Sequence, residues 1–446
     1  FVLIFKFRIK TGGNIMKQIV CSLVALAIYS VSSAAQTIKT VDSRFGDDLS
    51  ALLGDAKYEI DSLVITGSLS HDAFPVIRDC VRKGRLTGID MSKCRVEDDS
   101  IPDGGLRISA ISHTLTEHCI KWLRLPETLR AVGKDGCSHL AATGLELPLT
   151  LRVIDERSFE YCQAINGTLV IPEGVEHIGA KAFAYWHRLS RIRFPSTLRS
   201  IGFMAFADSF NLLDLKLNDG LQTISSHAFH NSSEFISEIV IPESVETIGA
   251  SAFYGSRRLD RLVLPSSLRT LETWSFEGNK VREIVWPACL EAMETRSIDA
   301  FRGIDLVLPE GLKTMGEHVM EDVANVFRIV LPLSLYKVGA NVFFKVPNLK
   351  VMYAKNPEPP ILPANVVQGE YTGWFSDIPS DALLYVPVGS AAAYRESPMF
   401  GRFAAIVETD VFPSSVEELE ALPSSVSSGI YTLGGQYVGT DLNALG

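Results

Sequence analysis

The chain has 446 residues, of which 42 are basic and 52 are acidic, so its formal net charge is −10. The first 35 residues hold four basic and no acidic residues, and the rest of the chain therefore carries −14. Such an acidic chain repels a phosphate backbone, which argues against a nucleic-acid partner. Its 46% of apolar residues is typical of a globular, well-packed protein.

The N-terminal 35 residues are interpreted as export sequence rather than as part of the fold. Residues 1–15 contain no Met and are read as sequence upstream of a start at Met16. Residues 16–35 combine one basic residue, an apolar run over 19–31 and a small-residue end, which predicts a secretory signal peptide cleaved before Gln36. A thirteen-residue run is shorter than the roughly 20 residues that span a bilayer. We therefore expect no membrane span in the mature chain; the alternative is an uncleaved anchor helix.

Residues 36–120 are predicted to form an αβ N-terminal cap. Apolar alternation predicts strands over 60–66 and 86–91, and between them 72–83 has its apolar residues on one helical face. The repeats that follow need such a unit, because an open end would expose apolar side chains and an unpaired sheet edge.

Residues 121–355 contain an internal repeat of 22 to 24 residues. Each copy has a short apolar phrase that ends at one anchor residue, as in Leu169-Val170-Ile171-Pro172. The ten anchors are Pro126, Pro148, Pro172, Pro195, Asn218, Pro242, Pro265, Pro287, Pro309 and Pro332. A unit this short cannot enclose a core alone, so the period predicts a solenoid of stacked coils.

Four positions of the repeat define its core. Counted from the anchor, positions −3, −1, +3 and +6 are apolar in all ten copies. The alternation at −3 and −1 predicts one parallel strand per repeat over −3 to −1, which the anchor Pro ends. Position +7 is Gly in six copies, which indicates either a positive φ or a close approach of two coils. Position +11 is Phe in seven copies, which predicts a stacked aromatic spine.

The repeat follows the pattern L-x-x-I-x-L-P-x-x-L-x-x-I-G-x-x-A-F, and the segments 181–183, 227–229 and 251–253 keep its A-F core. This pattern resembles the BspA-like branch of bacterial leucine-rich repeat proteins, over roughly residues 40–412. The resemblance implies a mainly β leucine-rich-repeat solenoid with an αβ N-terminal cap and an irregular C-terminal cap. It also implies an exported or surface-displayed protein, as family members are. Several of those members are adhesins that bind host proteins.

Three segments follow the repeats. Residues 356–412 break the period and resemble the terminal unit often seen after such repeats. Residues 413–428 are rich in Pro, Ser and acidic residues and predict an exposed linker. Residues 429–446 are similar to the opening strands of the small β-sandwich C-terminal domain that type IX secretion systems recognise. They stop before its closing strands, so we expect a truncated chain.

The candidates for chemistry are few. Six cysteines lie outside the signal peptide; Cys80 and Cys94 are the best pair for a disulfide in an oxidising compartment, and buried free thiols are the alternative. Cys137 with His139 suggests a nucleophile and its base, but Cys137 takes a core position. His227 and His230 suggest a metal site but have no third ligand nearby. We predict no catalytic, metal or cofactor site.

The outward positions −4 and −2 should form ladders along the solenoid, because parallel strands lie about 4.8 Å apart. Four neighbouring pairs at −4 have opposite charge: Arg191/Asp214, Glu238/Arg261, Arg261/Glu283 and Asp305/Arg328. Position −2 holds five consecutive valines, predicted to form an exposed stripe: Val240, Val263, Val285, Val307 and Val330. The hypothetical partner surface consists of Val240, Val263, Val285 and Val307 with Arg261 and Glu283 alongside. The alternative is that β-branched residues simply suit a pleated surface.

Two classes of function remain. The first is a non-catalytic exported protein, outer membrane-associated at the cell surface or extracellular, that binds a protein or a glycan through its sheet face. The second is a binding scaffold attached to an enzyme module beyond Gly446. We favour the first.

Overall fold

The computed structural model describes residues 36–108, 119–232, 236–362, 378–421, 430–431 and 437–439. The expected upstream segment and signal peptide lie outside the described residues. Most of the predicted sorting segment lies outside them as well.

The described residues form many short strands and few helices. The strands of the N-terminal cap and first copies are β1 (Ile38–Ser43), β2 (Ser62–Leu69), β3 (Gly88–Asp90), β4 (Cys94–Val96), β5 (Ser100–Ile101), β6 (Trp122–Arg124), β7 (Ala131–Val132), β8 (Val153–Ile154), β9 (Asn166–Val170), β10 (His177–Ile178), β11 (Arg188–Arg193) and β12 (Ser200–Ile201). The next strands are β13 (Asp214–Lys216), β14 (Thr223–Ile224), β15 (Glu238–Val240), β16 (Thr247–Ile248), β17 (Arg261–Val263), β18 (Thr270–Leu271), β19 (Lys280–Val281), β20 (Glu283–Val285), β21 (Ala292–Met293) and β22 (Ala300–Phe301). The last are β23 (Asp305–Val307), β24 (Thr314–Met315), β25 (Arg328–Leu331), β26 (Lys337–Val338), β27 (Val351–Ala354), β28 (Leu383–Pro387), β29 (Ala405–Thr409), β30 (Ile430–Tyr431) and β31 (Tyr437–Gly439). The helices are α1 (Leu49–Leu53), α2 (Ala73–Lys83), α3 (Ala391–Glu396) and α4 (Val416–Ala421).

The N-terminal cap is the predicted αβ unit. Strands β1, β2, β3 and β6 form one parallel sheet in that order, so the cap continues directly into the first repeat. Helix α2 buries Phe74 and Ile77 completely. The solenoid predicted from the period is confirmed, and it is mainly β, as the resemblance implied.

Nine of the ten coils contribute two strands rather than one, and the second coil contributes only the shorter one. The long strands include positions −4 to −2, one residue earlier than predicted, and a second strand at +5 and +6 was not predicted. The shift has a physical cause in the anchor. The N–H of Ile171 donates to the carbonyl of Arg193 at 3.0 Å, but in a parallel pair the carbonyl of residue 171 would need the N–H of residue 195, and Pro195 has none.

The core lies between the two ladders. All residues at +3 and +6 are buried. At −3 and −1, six residues are only partly buried but pack against the same core: Leu145, Leu147, Phe194, Leu217, Ile284 and Trp286. The predicted inward stacking of Ile171, Phe194, Leu217 and Ile241 is therefore confirmed, with the middle two less enclosed.

The predicted aromatic spine is confirmed. Six rings stack almost parallel along the solenoid, with centroids 5.2 to 5.5 Å apart, and all are fully buried: Phe159, Phe183, Phe206, Phe229, Phe253 and Phe276. These offset contacts between large apolar rings hold neighbouring coils together.

Of the two roles proposed for the +7 glycines, close approach is correct and positive φ is not. A Cβ on Gly202 would lie 2.7 Å from the carbonyl oxygen of Ile178 in the preceding coil. Positive φ occurs instead at +9, where φ is 52° to 59° in all ten copies. These residues are Asp135, Arg157, Lys181, Met204, His227, Ser251, Trp274, Arg296, His318 and Asn341.

The C-terminal cap is more regular than predicted. Strands β27, β28 and β29 extend the long-strand ladder in parallel, and β30 and β31 add antiparallel strands at its edge. On α3, Tyr394 is buried and its hydroxyl donates to the carbonyl of Asn356 at 2.7 Å. The cap therefore closes the solenoid core with both strand pairing and an aromatic side chain.

Candidate functional site

The outward side of the long-strand ladder, which we call the strand face, carries the predicted charge ladder. Arg261 lies between two carboxylates, with its Nη1 2.6 Å from Glu238 Oε1 and its Nε 3.0 Å from Glu283 Oε1. These two hydrogen bonds raise the pKa of Arg261 above its usual value. Such exposed pairs add little to stability; their effect is to fix the orientation of the guanidinium.

The other predicted pairs are partly realised. Arg328 and Asp305 form a bidentate contact, with Nη2 and Oδ2 2.5 Å apart. Arg191 and Asp214 are cross-strand partners, but they form no ion pair in the described part of the chain. Three of the four predicted pairs therefore bring their charges into contact.

The N-terminal part of the valine stripe is exposed as predicted. Val240, Val263 and Val285 are direct cross-strand partners. Val240 is 47% exposed and Val285 is 40% exposed, with Val263 half-buried between them. Together with Arg261 and Glu283 they form one contiguous surface.

The prediction was wrong for Val330, which is buried, whereas Val307 is half-buried like Val263. Val330 is 1% exposed and belongs to a second apolar cluster, against which Val307 is partly buried. The cover comes from α4, whose Leu419 is itself 1% exposed. The segment read as the linker 413–428 therefore includes a helix that docks on the strand face.

Four cations on the strand face were not recognised as a group from the sequence. Arg188, Arg191 and Arg193 lie on β11 and Lys216 lies on β13, and all four side chains are exposed. None of them forms an ion pair within the described residues. Asp214 is the one acidic residue in β9, β11 and β13. The signal was available in the repeat, since cations occupy position −2 in two consecutive coils.

A cleft near the start of the repeats was also missed. Residues 144–147 form no strand, although the pattern predicted one, and an open cleft of about 990 Å³ lies between them and β6. Trp122 lines it and is 37% exposed. Its indole lies over Gly88, where an added Cβ would meet the ring at 2.1 Å.

The structure gives no support to the nucleophile hypothesis. Cys137 is fully buried, and burial raises the pKa of its thiol well above the usual value. A nucleophilic cysteine needs the opposite shift, because the thiolate is the reactive form. Burial, together with the charge of Arg107, lowers the pKa of His139, and its ring stacks on Tyr161 with centroids 4.9 Å apart. Both residues therefore act in packing.

The two turn histidines also pack against rings. His227 and His230 have centroids 5.2 Å apart, His230 stacks on Tyr254, and burial lowers the pKa of both histidines. Across the described ranges, no three His, Cys, Asp or Glu side chains gather in a way that suits a metal ion. His227 and His230 are both half-buried.

The described cysteines are all free thiols. Cys80 on α2 and Cys94 on β4 are both buried, and burial raises the pKa of Cys94 to about 11. The disulfide candidate is therefore not formed, and the alternative of buried thiols describes this pair. Cys289 is only partly buried, and its thiol donates to the carbonyl of Ser266 in the preceding coil, with Sγ and O 2.6 Å apart.

A comparison with protein families decides the identity of the repeats. The BspA type leucine rich repeat region matches residues 107–236 and 233–350, in six copies. The chain belongs to the BspA-type leucine-rich repeat family. Scaffolds of this fold are typically non-catalytic. Among curated proteins, no sequence matches this BspA-type chain.

Several solved structures are similar to this BspA-type chain. A leucine-rich repeat protein from Bacteroides ovatus is 22% identical, with a TM-score of 0.43 over 63% of this chain and 70% of that one. The pneumococcal vaccine antigen PcpA is 17% identical, with a TM-score of 0.44 over 85% and 96%. A leucine rich cell surface protein from Faecalibacterium prausnitzii is 16% identical, with a TM-score of 0.26 over 71% and 83%.

The helices of this BspA-type protein are short. Within the described ranges, none has the length and apolar character needed to cross a membrane.

Proposed function

We propose that this BspA-type protein is exported and binds a protein partner, such as a host extracellular protein, through its strand face. The contact surface consists of Val240, Val263 and Val285 with Arg261 and Glu283, and it ends at Val307, where α4 begins to cover the sheet. The observation that supports the proposal is a contiguous apolar surface, with Val240 and Val285 exposed and Val263 half-buried between them, beside a guanidinium held by two carboxylates. Contiguous apolar surface bordered by polar groups is typical of an interaction site.

A protein fits this surface better than a glycan. The three valines offer aliphatic contact area and no aromatic ring on which a sugar could stack. The charged groups beside them are already paired with one another. A partner must therefore supply apolar side chains, which favours a polypeptide.

The test is selection from a displayed library of helical and extended peptides on the full-length protein. Binders are then measured on Val263→Lys/Val285→Lys, with Val153→Lys as the matched control, because Val153 is 51% exposed on the short-strand ladder. We expect at least a tenfold loss of affinity for the double variant and none for the control. If the folded double variant keeps full affinity, the site lies elsewhere, with the turns and the N-terminal cap as the next candidates.

Export has its own test. Protein recovered from the cell surface or the medium should have an N-terminus near Gln36. Recovery of the protein in the cytoplasm with residues 16–35 still attached would contradict export.

A further inference from the structure

The outward residues at position −2 follow one another along the strand face as a column, although the sheet is interrupted between β13 and β15 and between β20 and β23. The two halves of this column differ in what covers them. At position −2, Val307 pairs with Val330, which is followed in register by Tyr353, Tyr385 and Val407. Val330, Tyr353, Tyr385 and Val407 form one apolar cluster with Leu419, and Val307 and Phe412 pack against that cluster. In the preceding coils Val285 and Val240 are exposed, and Val263 between them is half-buried.

The covering segment shows which chemistry this face accepts. Its apolar contacts come from Leu419, which is buried in the cluster, and from Phe412, whose ring lies 6.4 Å from that of Tyr353. The helix that carries Leu419 is acidic, with the sequence Val-Glu-Glu-Leu-Glu-Ala. Nη1 of Arg328 donates to the carbonyl of Leu419 at 3.0 Å. An acidic helix with one large apolar anchor is thus the ligand that the chain supplies to its own face.

The open half offers the same features in the same column. Val240, Val263 and Val285 occupy the position of Val307 and Val330 in the preceding coils. Beyond Val240 the column continues with Lys216 and Arg193, both exposed and without an ion pair among the described residues. In a chain with a net charge of −10, a group of unpaired cations next to an apolar stripe selects for an acidic partner.

We propose that the open half of the strand face binds an acidic amphipathic helix of a partner protein, in the manner of α4 on the covered half. Apolar side chains of the partner lie on Val240, Val263 and Val285, and its carboxylates pair with Lys216, Arg193 and Arg191. The column from Arg193 to Val285 covers four coil steps, or about 19 Å at 4.8 Å each, which a helix of about 13 residues matches. This inference rests on the proposed function, since it names the partner class for the same surface.

The probe is a synthetic peptide of residues 408–421, added to the full-length protein and measured by fluorescence anisotropy. The tethered copy already occupies the covered half at a high effective concentration, so the added peptide reports on the open half. Arg193→Glu/Lys216→Glu should weaken binding at least tenfold. The matched control Arg130→Glu/Lys337→Glu reverses two exposed charges away from the strand face and should leave binding unchanged.

Two further measurements separate charge from apolar contact. A peptide with Glu417→Gln, Glu418→Gln and Glu420→Gln should bind at least fivefold more weakly and lose its salt dependence. Val263→Thr/Val285→Thr keeps shape and charge but replaces one methyl of each side chain by a hydroxyl, and should also weaken binding severalfold.

The outcomes distinguish this inference from the proposed function. Loss of binding with the threonine variant, but not with the glutamate variant or the glutamine peptide, would overturn the acidic partner and leave the surface intact. Insensitivity to all three would overturn both. No binding of the peptide at millimolar concentration would show that α4 is not a model for the partner's helix. Heparin binding that depends on Arg193 and Lys216, without peptide binding, would assign the cations to a sulfated glycan instead.

Discussion

Arg328 and Leu419 connect the last repeat to a helix 91 residues further along the chain. Nη1 of Arg328 donates to the carbonyl of Leu419 at 3.0 Å, and the same guanidinium forms an ion pair with Asp305. The Leu419 side chain is buried on Val330 and Tyr353. A segment whose composition is that of a solvated linker is therefore held by one apolar anchor and one charged donor.

Replacing Leu419 by Asp should release this helix while the repeats stay folded. Burying a carboxylate in an apolar cluster costs several kcal/mol, more than so short a helix gains from docking. Limited proteolysis should then cleave within 411–421 at least tenfold faster. Leu333→Asp is the control, because Leu333 is 58% exposed. Equal protease resistance of the Leu419 variant and the wild type would show that the helix is held in another way.

Replacing Phe206 by Ala should destabilise the solenoid by about 3–5 kcal/mol, the usual cost of deleting a buried aromatic ring. Phe206 is fully buried and stacks on Phe183 and Phe229. Chemical denaturation measures the change. Phe203, three residues earlier and 43% exposed, is the control, and its replacement by Ala should cost about 1 kcal/mol or less. A loss below about 1 kcal/mol for Phe206 would mean that the spine is not packed.

Replacing Gly202 by Ala should also be destabilising, by about 1–3 kcal/mol. The new Cβ would lie 2.7 Å from the carbonyl oxygen of Ile178, which belongs to the backbone of the preceding coil and cannot rotate away. Gly144→Ala is the control, since nothing lies within 4 Å of its Cβ position. Thermal unfolding should rank the two variants in that order; equal melting temperatures would argue against close approach at Gly202.

The period of the repeat was enough to predict the solenoid, its inward positions and the Phe spine, because each depends on one residue type recurring at one position. The second strand at +5 and +6 was not predictable in this way. In this strand only position +6 is always apolar, while position +5 varies from Ala131 to His177 and Lys337. A two-residue strand carries no alternation from which it could be recognised.

The candidate site was only partly predictable for a different reason. Exposure of the valine column depends on what else in the chain covers it, and the residues that pack on Val330 and Val307 lie about 90 to 110 positions further along the sequence. Periodicity describes neighbours within the stack and says nothing about such distant contacts.

Asp299 makes the stability of the repeats depend on pH. Burial, with a contribution from the nearby Glu277, raises the pKa of Asp299 to about 6, although the backbone N–H of Gly278 donates to its Oδ1 at 2.9 Å. In the unfolded chain the same carboxyl has a pKa of about 3.9. Between these two pH values the folded protein therefore holds a proton on Asp299 that the unfolded chain has lost. The stability that comes from this protonation is full below about pH 4 and is lost as the pH rises through about 6.

Asp299→Asn should remove this dependence. The amide keeps the acceptor oxygen for Gly278 and is neutral at every pH, so the variant should be more stable than the wild type at pH 7.5 by about 3 kcal/mol. At pH 4 the two proteins should be nearly equal. Denaturation at a series of pH values measures the difference, with Asp219→Asn as the control at an exposed carboxylate. A variant that follows the wild-type pH profile would show that Asp299 stays ionised in the folded protein.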